Sequence, residues 1–426
     1  MLRSMYSGIG GMKNFQTKLD VIGNNIANVN TYGFKKGRVT FKDIASQTMS
    51  GASSAQNNRG GTNAKQIGLG SALATIDTIM TNSSLQTTGR LLDLGVDGDG
   101  FFVVKNGNQQ YYTRAGNFDI DSVGNLVNSD GLKVQGYAMD PVTGLPNTSK
   151  LTSLSIDKNA TILPQATSTI KFAGNLDSNA AVGDKVVLDI SIRDSLGNEV
   201  PIKLQYVNAG PNSWQLNMFK GTDDLSAVPS PTPFATGSID FRPSDGTPIL
   251  DDGATPPNPI YPFPADVTVP AFGSANPTVL KFQDLNFALL NQTGAASSVS
   301  VKDKDGYPGG SLTSFTFGQS GEITGVFSNG QVKNMGQIAL ATFSNPGGLL
   351  KTGGNTFQES NNSGIPNVAT PGNSRGVVQA GTLEMSNVDL SEEFTDMIVA
   401  QRGFQANSRI ITTSDQILEE LVNLKR

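Results

Sequence analysis

Residues 19–35 read LDVIGNNIANVNTYGFK, and the way they fold decides how the rest of the chain is arranged. Leu19, Ile22, Ile26 and Val29 recur three or four residues apart, as on one apolar face of a helix. Asn24, Asn25, Asn28 and Asn30 crowd the same turns, although Asn competes with a helix by bonding nearby backbone. The purpose of those amides depends on the opposite end of the chain.

Upstream, Leu2, Met5, Ile9, Met12, Leu19 and Ile26 continue a heptad-like stripe with a gap at Gln16, supplemented by Phe15 and Ile22. At the C-terminal end Leu390, Met397, Phe404, Ile411 and Leu418 stand seven apart, and Phe394, Ile398, Ile417, Leu421 and Leu424 widen the stripe. Asp389 followed by Glu392 is an N-terminal helix signal, and Lys425 and Arg426 suit the last helical carbonyls. Helices are predicted at roughly 3–28 and 389–424. The first fifty residues are mainly basic and the last fifty mainly acidic, so the two helices should attract and pair as a coiled coil. Gln401, Ser408 and Asp415, also seven apart, form a polar row that suggests further faces meeting other copies. Asn24, Asn25 and Asn28 are expected to bond across packed helices in an assembly, while Asn30, Thr31 and Gly33 end the helix.

Between the ends the sequence reads as strands. Residues 100–137 and 311–343 both alternate apolar runs with Gly, Asn and Asp turns, including Ser328-Asn329-Gly330, and should pair although far apart. Residues 166–302 have strands of their own and a proline-rich stretch from Pro229 to Pro277, expected to be surface loop. The fold class is therefore mainly β and multi-domain, with terminal α-helices and nested, discontinuous domains. An inner helical domain takes 1–33 and 387–426, and a linker region takes 34–75 and 361–386. A β domain takes 76–165 and 303–360, and an inserted outer β domain takes 166–302. Residues 46–66 lack large apolar side chains and are expected to be a flexible linker or a segment ordered only by neighbours.

With 426 residues and a net charge of −5, the protein is large enough for several domains and too acidic for a nucleic-acid binder. Neither Cys nor His occurs, which excludes thiol nucleophiles, disulfides, thiolate metal sites and imidazole bases. The first residues make a poor signal peptide, and no apolar run is long enough to span a membrane. Asp119, Asp121 and Gly124 faintly match a calcium loop, but Val123 and Asp130 break the pattern, so a β-turn is expected. Gly8, Gly10 and Gly11 do not fit a phosphate loop and should instead admit a close backbone. No carboxylate pair stands out for hydrolysis. Trp214, Tyr206, Phe241 and Tyr261 are too scattered to outline a glycan-binding groove, though a secreted β-rich adhesin stays an alternative.

Three stretches carry a resemblance. SGIGGMKNFQTKLDVIGNNIANVNTYGFKKGRVTF (7–41) and the run from Val378 to Arg426 resemble the terminal signatures of the rod and hook axial proteins of the bacterial flagellum. GDGFFVV (98–104) and YTRAGNFDIDSVGNLVNSDGLKVQGY (112–137) resemble the β core of hook and distal-rod members. The matching motif positions are Asn24, Asn25, Asn28, Asn30, Thr31, Gly33, Phe34, Gln401, Arg402 and Asn407. The 166–302 block is similar to the outer domain of hook-type members; distal-rod members, the alternative, are typically shorter and lack it. The resemblance implies a structural subunit with no catalytic, metal or cofactor site and no nucleic-acid partner. Many copies would form a helical tube, with the terminal helices around a central channel and the whole acting as a universal joint between rod and filament. It further implies export without a cleaved signal peptide through the flagellar type III apparatus, to an extracellular place in the hook and basal body. The implied partners are the distal rod protein, the hook–filament junction protein, and the hook cap and length-control proteins. Some members crosslink through Cys, which is absent from this sequence.

Overall fold

Leu2–Ala27 forms helix α1, and the asparagines explain where it stops. Asn28 donates through Nδ2 to the Asn24 carbonyl at 2.8 Å and to Asn24 Oδ1 at 3.0 Å, so side-chain bonds replace the next helical turn. Thr31 then bonds back to the Asn28 carbonyl, and Gly33 turns the backbone at φ +69°, a conformation that suits glycine. Leu390–Asn423 forms helix α2, capped by Asp389, whose carboxylate accepts from the Ser391 and Glu392 amides. Both helices lie within a residue or two of the spans expected from periodicity. The computed structural model describes residues 2–55, 60–140, 143–227, 230–249, 266–269, 278–281, 285–372 and 375–424. The side chains of Leu2 and Leu421, the expected cap at Lys425 and Arg426, Tyr261 and most of the proline-rich stretch lie outside the described residues.

The protein divides into two units. The first comprises Met1–Asp157, Phe315–Gly325 and Lys333–Arg426, and the second Lys158–Ser314 and Val326–Val332. In the first unit, Phe101–Asn106 pairs with Gln109–Thr113, with Lys133–Ala138 and with Leu340–Thr342, placing Phe102 opposite Leu340. Lys133–Ala138 also pairs with Val332–Ile338, so the two hairpin blocks do join, across some two hundred residues of sequence. Phe101, Phe102, Val103 and Val104 are all buried, as expected of a strand covered on both faces. Phe101 meets Phe343 and Phe357 edge-on at 5.9 and 5.8 Å on one side, and Phe102 meets Phe118 at 5.1 Å on the other.

Two antiparallel ladders follow, one nested within the other: Gly37–Asp43 with Ser71–Thr78 beside α1, and between them Ser46–Ser50 with Lys65–Gly68. The second lies where a flexible linker or a segment ordered only by neighbours is expected over 46–66, and its described residues pair as strands. Both its strands are exposed at every residue, so ladder bonds hold it without burial, which is why no apolar signal marks it.

The second unit has its own core. A four-stranded antiparallel meander of Lys185–Arg193, Glu199–Gly210, Ser213–Lys220 and Ala235–Asp240 faces a three-stranded sheet of Leu285–Thr293, Ile170–Asp177 and Ser300–Lys304. Trp214, Tyr206, Phe172, Phe241 and Phe287 are buried between them, with Phe172 and Phe287 stacked at 4.8 Å. Trp214, Tyr206 and Phe241 therefore form core, and no glycan platform can be built from them.

Candidate functional site

The functional residues concentrate where α1, α2 and the β body of the first unit meet. The helices lie antiparallel. Ile411 packs on Gly8, the Asn407 side chain on Gly11, and the Phe15 ring on Gly403. Lys18 pairs with Asp396 at 3.2 Å, the attraction expected of a basic and an acidic helix. Glycine is needed at two of these places. A Cβ on Gly11 would lie 2.8 Å from Asn407 Oδ1, and one on Gly403 would lie 2.5 Å from the Phe15 ring. Of the glycines expected to admit a close backbone, Gly10 approaches the Ser71 carbonyl and Gly8 that of Asn407, whereas Gly11 receives a side chain.

The contact face differs from the predicted stripe. Among the described residues, Gly8, Gly11, Asn14, Ile22 and Asn25 are the buried positions of α1, and Glu393, Ala400 and Ser414 those of α2. Met5, Met12, Leu19, Ile26, Met397, Ile411 and Leu418 are half-buried, while Ile9, Leu390 and Phe404 are exposed. A strict seven-residue repeat drifts by about 20° per heptad around a straight helix, so the row does not stay on one face: Leu390 and Phe404 are exposed while Ile411 packs on Gly8. Small residues let the helices approach along a neighbouring face, and the larger apolar side chains remain outside. Gln401 and Arg402 are exposed.

Asn25 answers the question raised by its neighbours. Its amide pairs with the Gly37 backbone in both directions, Nδ2 to the carbonyl and Oδ1 from the amide, each at 2.9 Å. Nδ2 also reaches both oxygens of Glu393 on α2, at 3.1 and 3.2 Å. Asn25 thus bonds across to the packed helix α2 as well as to the chain that follows its own helix. Its hydrogen-bonding capacity is used within one molecule, because the following strand folds back to within reach. Asn24 and Asn28 bond each other, and Thr31 Oγ1 donates to Asn28 Oδ1. Asn30 is exposed. Burial raises the Glu393 carboxyl above the usual range, opposed by the Asn25 bond and by Lys36.

A second cluster lies just beyond. Lys35 Nζ donates to Glu384 Oε1 at 2.6 Å, and Arg114 Nη1 approaches Glu384 Oε2 at 3.3 Å, with all three side chains buried. Lys35 also donates to the Thr81 carbonyl, and Arg114 to the Gly98 carbonyl and Asn82 Oδ1. The Ser83 amide completes Glu384 Oε1 at 3.1 Å. Burial lowers the Lys35 ammonium from its ordinary value, against the pull of Glu384. Around this triad Gly33 donates to the Glu384 carbonyl, and Asn387 takes the Lys36 amide and donates to the Ile79 carbonyl and Thr81 Oγ1. Phe34 is buried beneath the Lys351 ammonium, 5.1 Å from its ring centre. Sequence reading missed Lys35, Arg114, Glu384, Asn387 and Glu393. Lys35, Glu384 and Glu393 showed only as part of the basic and acidic ends, and Arg114 and Asn387 as a charge and an amide within the family-like stretches. The charges are consumed in holding three segments of the protein together.

The 119–130 loop is a turn built on Asp121, whose carboxylate accepts from the Val123 and Asn125 amides and from Asn125 Nδ2. The Asn125 side-chain bond leads in holding Asp121 below the usual carboxylate range.

Four family models match the protein. Residues 5–35 match "Flagella basal body rod protein", and 95–172 "Flagellar hook protein FlgE/F/G D1 domain". Residues 185–307 match "Flagellar basal body protein FlaE D2 domain", and 379–424 "Flagellar basal body rod FlgEFG protein C-terminal". The flagellar hook protein FlgE of Borreliella burgdorferi is 41% identical over 100% of both proteins. The flagellar basal-body rod protein FlgG of Bacillus subtilis is 37% identical, also over 100% of both. A rod-named relative therefore carries the inserted block, which by itself does not separate the two names. The crystal structure of Helicobacter pylori flagellar hook protein FlgE2 aligns with 70% of this protein and 100% of its own length, at a TM-score of 0.52 and 13% identity, a likeness of fold.

Proposed function

The chain belongs to the flagellar hook protein family and is a structural subunit of the hook, and from that premise we propose that it polymerises through α1 and α2 into a torque-bearing tube. The observation that carries this reading is the apolar surface the helix pair leaves uncovered. Tyr6 is 72% exposed, Phe394 50%, Ile398 58%, Val399 55% and Leu424 83%. Side chains of this size on both flanks of a helix call for further helices, and a helical layer of identical copies supplies them. In the tube the pair supercoils as a coiled coil. Residues 1–33 and 387–426 form the layer around the channel, 34–75 with 361–386 the linker region, 76–165 with 303–360 the β domain, and 166–302 the outer domain. Torque passes along the helical layer, while the polar outer surfaces exchange contacts as the joint bends.

The partners follow from that position: the distal rod protein below, the hook–filament junction protein above, and the cap and length-control proteins during growth. The subunit travels through the type III export apparatus and ends outside the cell. Deleting the gene and imaging isolated basal bodies tests the position, with a complete rod and nothing beyond it as the expected result. A shortened rod assigns the protein to the distal rod. Complementing the deletion with Phe394→Asp/Ile398→Asp tests the polymer contact. Full-length hooks from this double variant would refute the role given to that flank of α2.

A further inference from the structure

The sequence has two Asn-Gly pairs, Asn106-Gly107 and Asn329-Gly330, and each sits at the tip of a β-hairpin. The two are chemically identical and structurally opposite. Asn106 is exposed, and among the described residues its side chain makes no hydrogen bond. The Gly107 amide has no acceptor among them either, and a Cβ there would meet nothing within 4 Å. Asn329, by contrast, donates through Nδ2 to the Pro308 carbonyl at 2.8 Å and accepts the Gln331 amide on Oδ1 at 3.1 Å. Its side chain packs so closely on Gly310 that a Cβ there would fall 2.7 Å from Asn329 Cγ. The Gly330 amide donates to the Phe327 carbonyl at 2.9 Å.

We propose that Asn106 is a site of spontaneous deamidation and that the fold protects Asn329 from the same reaction. The Gly107 nitrogen attacks Asn106 Cγ, forming a new bond between them. The bond from Cγ to the amide nitrogen Nδ2 then breaks, and ammonia leaves carrying the Gly107 amide proton. Water opens the resulting succinimide at either carbonyl, giving aspartate or isoaspartate at position 106. The net change consumes one water and releases one ammonia, with no redox step. Both reacting groups are free at Asn106, whereas at Asn329 the electrophile and the nucleophile are each held in hydrogen bonds that must break first. Three such bonds make the folded-state rate at Asn329 slower by roughly tenfold or more. The product places a negative charge, and in the isoaspartate form an extra backbone methylene, at the Phe101–Asn106/Gln109–Thr113 hairpin tip. A subunit would thereby carry a chemical record of its age.

The test incubates the purified full-length protein, folded and in urea, at mildly alkaline pH and follows tryptic peptides 106–114 and 305–333 by mass spectrometry. In urea both peptides should convert at comparable rates. In the folded protein the 106–114 peptide should convert at least roughly tenfold faster than the 305–333 peptide. Asn106→Gln should abolish the conversion in 106–114 without moving the melting temperature. Equal rates in the folded protein would overturn the proposal. So would a folded protein whose 106–114 peptide stays unchanged while the unfolded form converts.

Discussion

Lys35 and Glu384 meet at 2.6 Å with both side chains fully excluded from solvent, although 349 residues separate them in sequence. Removing one member of such a buried pair leaves a charge without its counterion and costs about 3–5 kcal/mol. Glu384→Gln should therefore lower stability by about that amount, because it strands two cations. Lys35→Met should cost less, since Arg114 still neutralises Glu384. The double variant Lys35→Met/Glu384→Gln should regain part of the loss. Denaturant unfolding of the four proteins checks the order, and equal losses in both single variants would contradict the shared role of Arg114.

Gly33 and Gly89 provide a matched comparison. Both have positive φ, +69° and +73°, so an alanine at either costs about 1–2 kcal/mol in backbone strain. A Cβ at Gly33 would also lie 2.6 Å from the Ala115 nitrogen, whereas at Gly89 it meets nothing within 4 Å. Gly33→Ala should destabilise the protein clearly more than Gly89→Ala in thermal unfolding. Equal effects would show that the Gly33 turn can shift away from the Ala115 backbone.

The helix pair should respond to alanine according to which face receives it. Gly403→Ala drives a Cβ into the Phe15 ring and should cost about 1–3 kcal/mol by overpacking. Gly23 faces open space, and Gly23→Ala should stabilise α1 by about 0.8–1.0 kcal/mol through helix propensity. Circular dichroism melting reads both changes, and hook formation in a complemented deletion strain should fail only for Gly403→Ala.

Glu393 makes the helix contact sensitive to acid in an unusual direction. Its folded carboxyl sits above the ordinary glutamate value of 4.5, chiefly through burial, so folding favours the protonated form. The resulting penalty is fully present above the folded pKa. It is relieved as pH falls through that value toward 4.5. Facing it are Asn25 from α1 and Lys36 just before the following strand, with Glu392 and Asp396 beside it on α2, the latter paired with Lys18. Glu393→Gln should flatten this part of the pH–stability curve, with hydrogen exchange of α2 as the readout. An unchanged curve would place the pH dependence elsewhere.

Much of this architecture is legible in the sequence because it follows from local periodicity. The helix ends at Asn28 and Asp389 and the turns at Gly124 and Gly330 are set by residues within four positions of one another. The junction is different. Nothing beside Arg114 in YTRAGNF points to Glu384, which lies 270 residues away. An isolated charge in a mixed context reads as surface until its partner is placed. The packed face of the helices was equally hidden, since glycines give no hydrophobic signal and the larger side chains on the adjacent face dominate the pattern. The Gly37 partner of Asn25 is equally illegible locally, because its return to that side chain depends on the turn at Gly33.

The antiparallel closure of α1 on α2 has a consequence for the order in which the molecule can be completed. A polypeptide emerging from its N-terminus exposes Lys35, the Asn25–Gly37 bracket and the strands Leu85–Thr87 and Leu94–Asp97 early. Their partners Glu384, Glu393, Thr382–Glu384 and Val377–Ala380 arrive last. Until then the early half holds an unpaired buried-type cation and open strand edges, while the β body between can already fold. A subunit cut short anywhere before residue 393 therefore lacks nearly all of α2 and cannot close the helix pair. The closing contacts of the helix pair and of the Lys35–Glu384 junction are thus made by the last segments of the sequence.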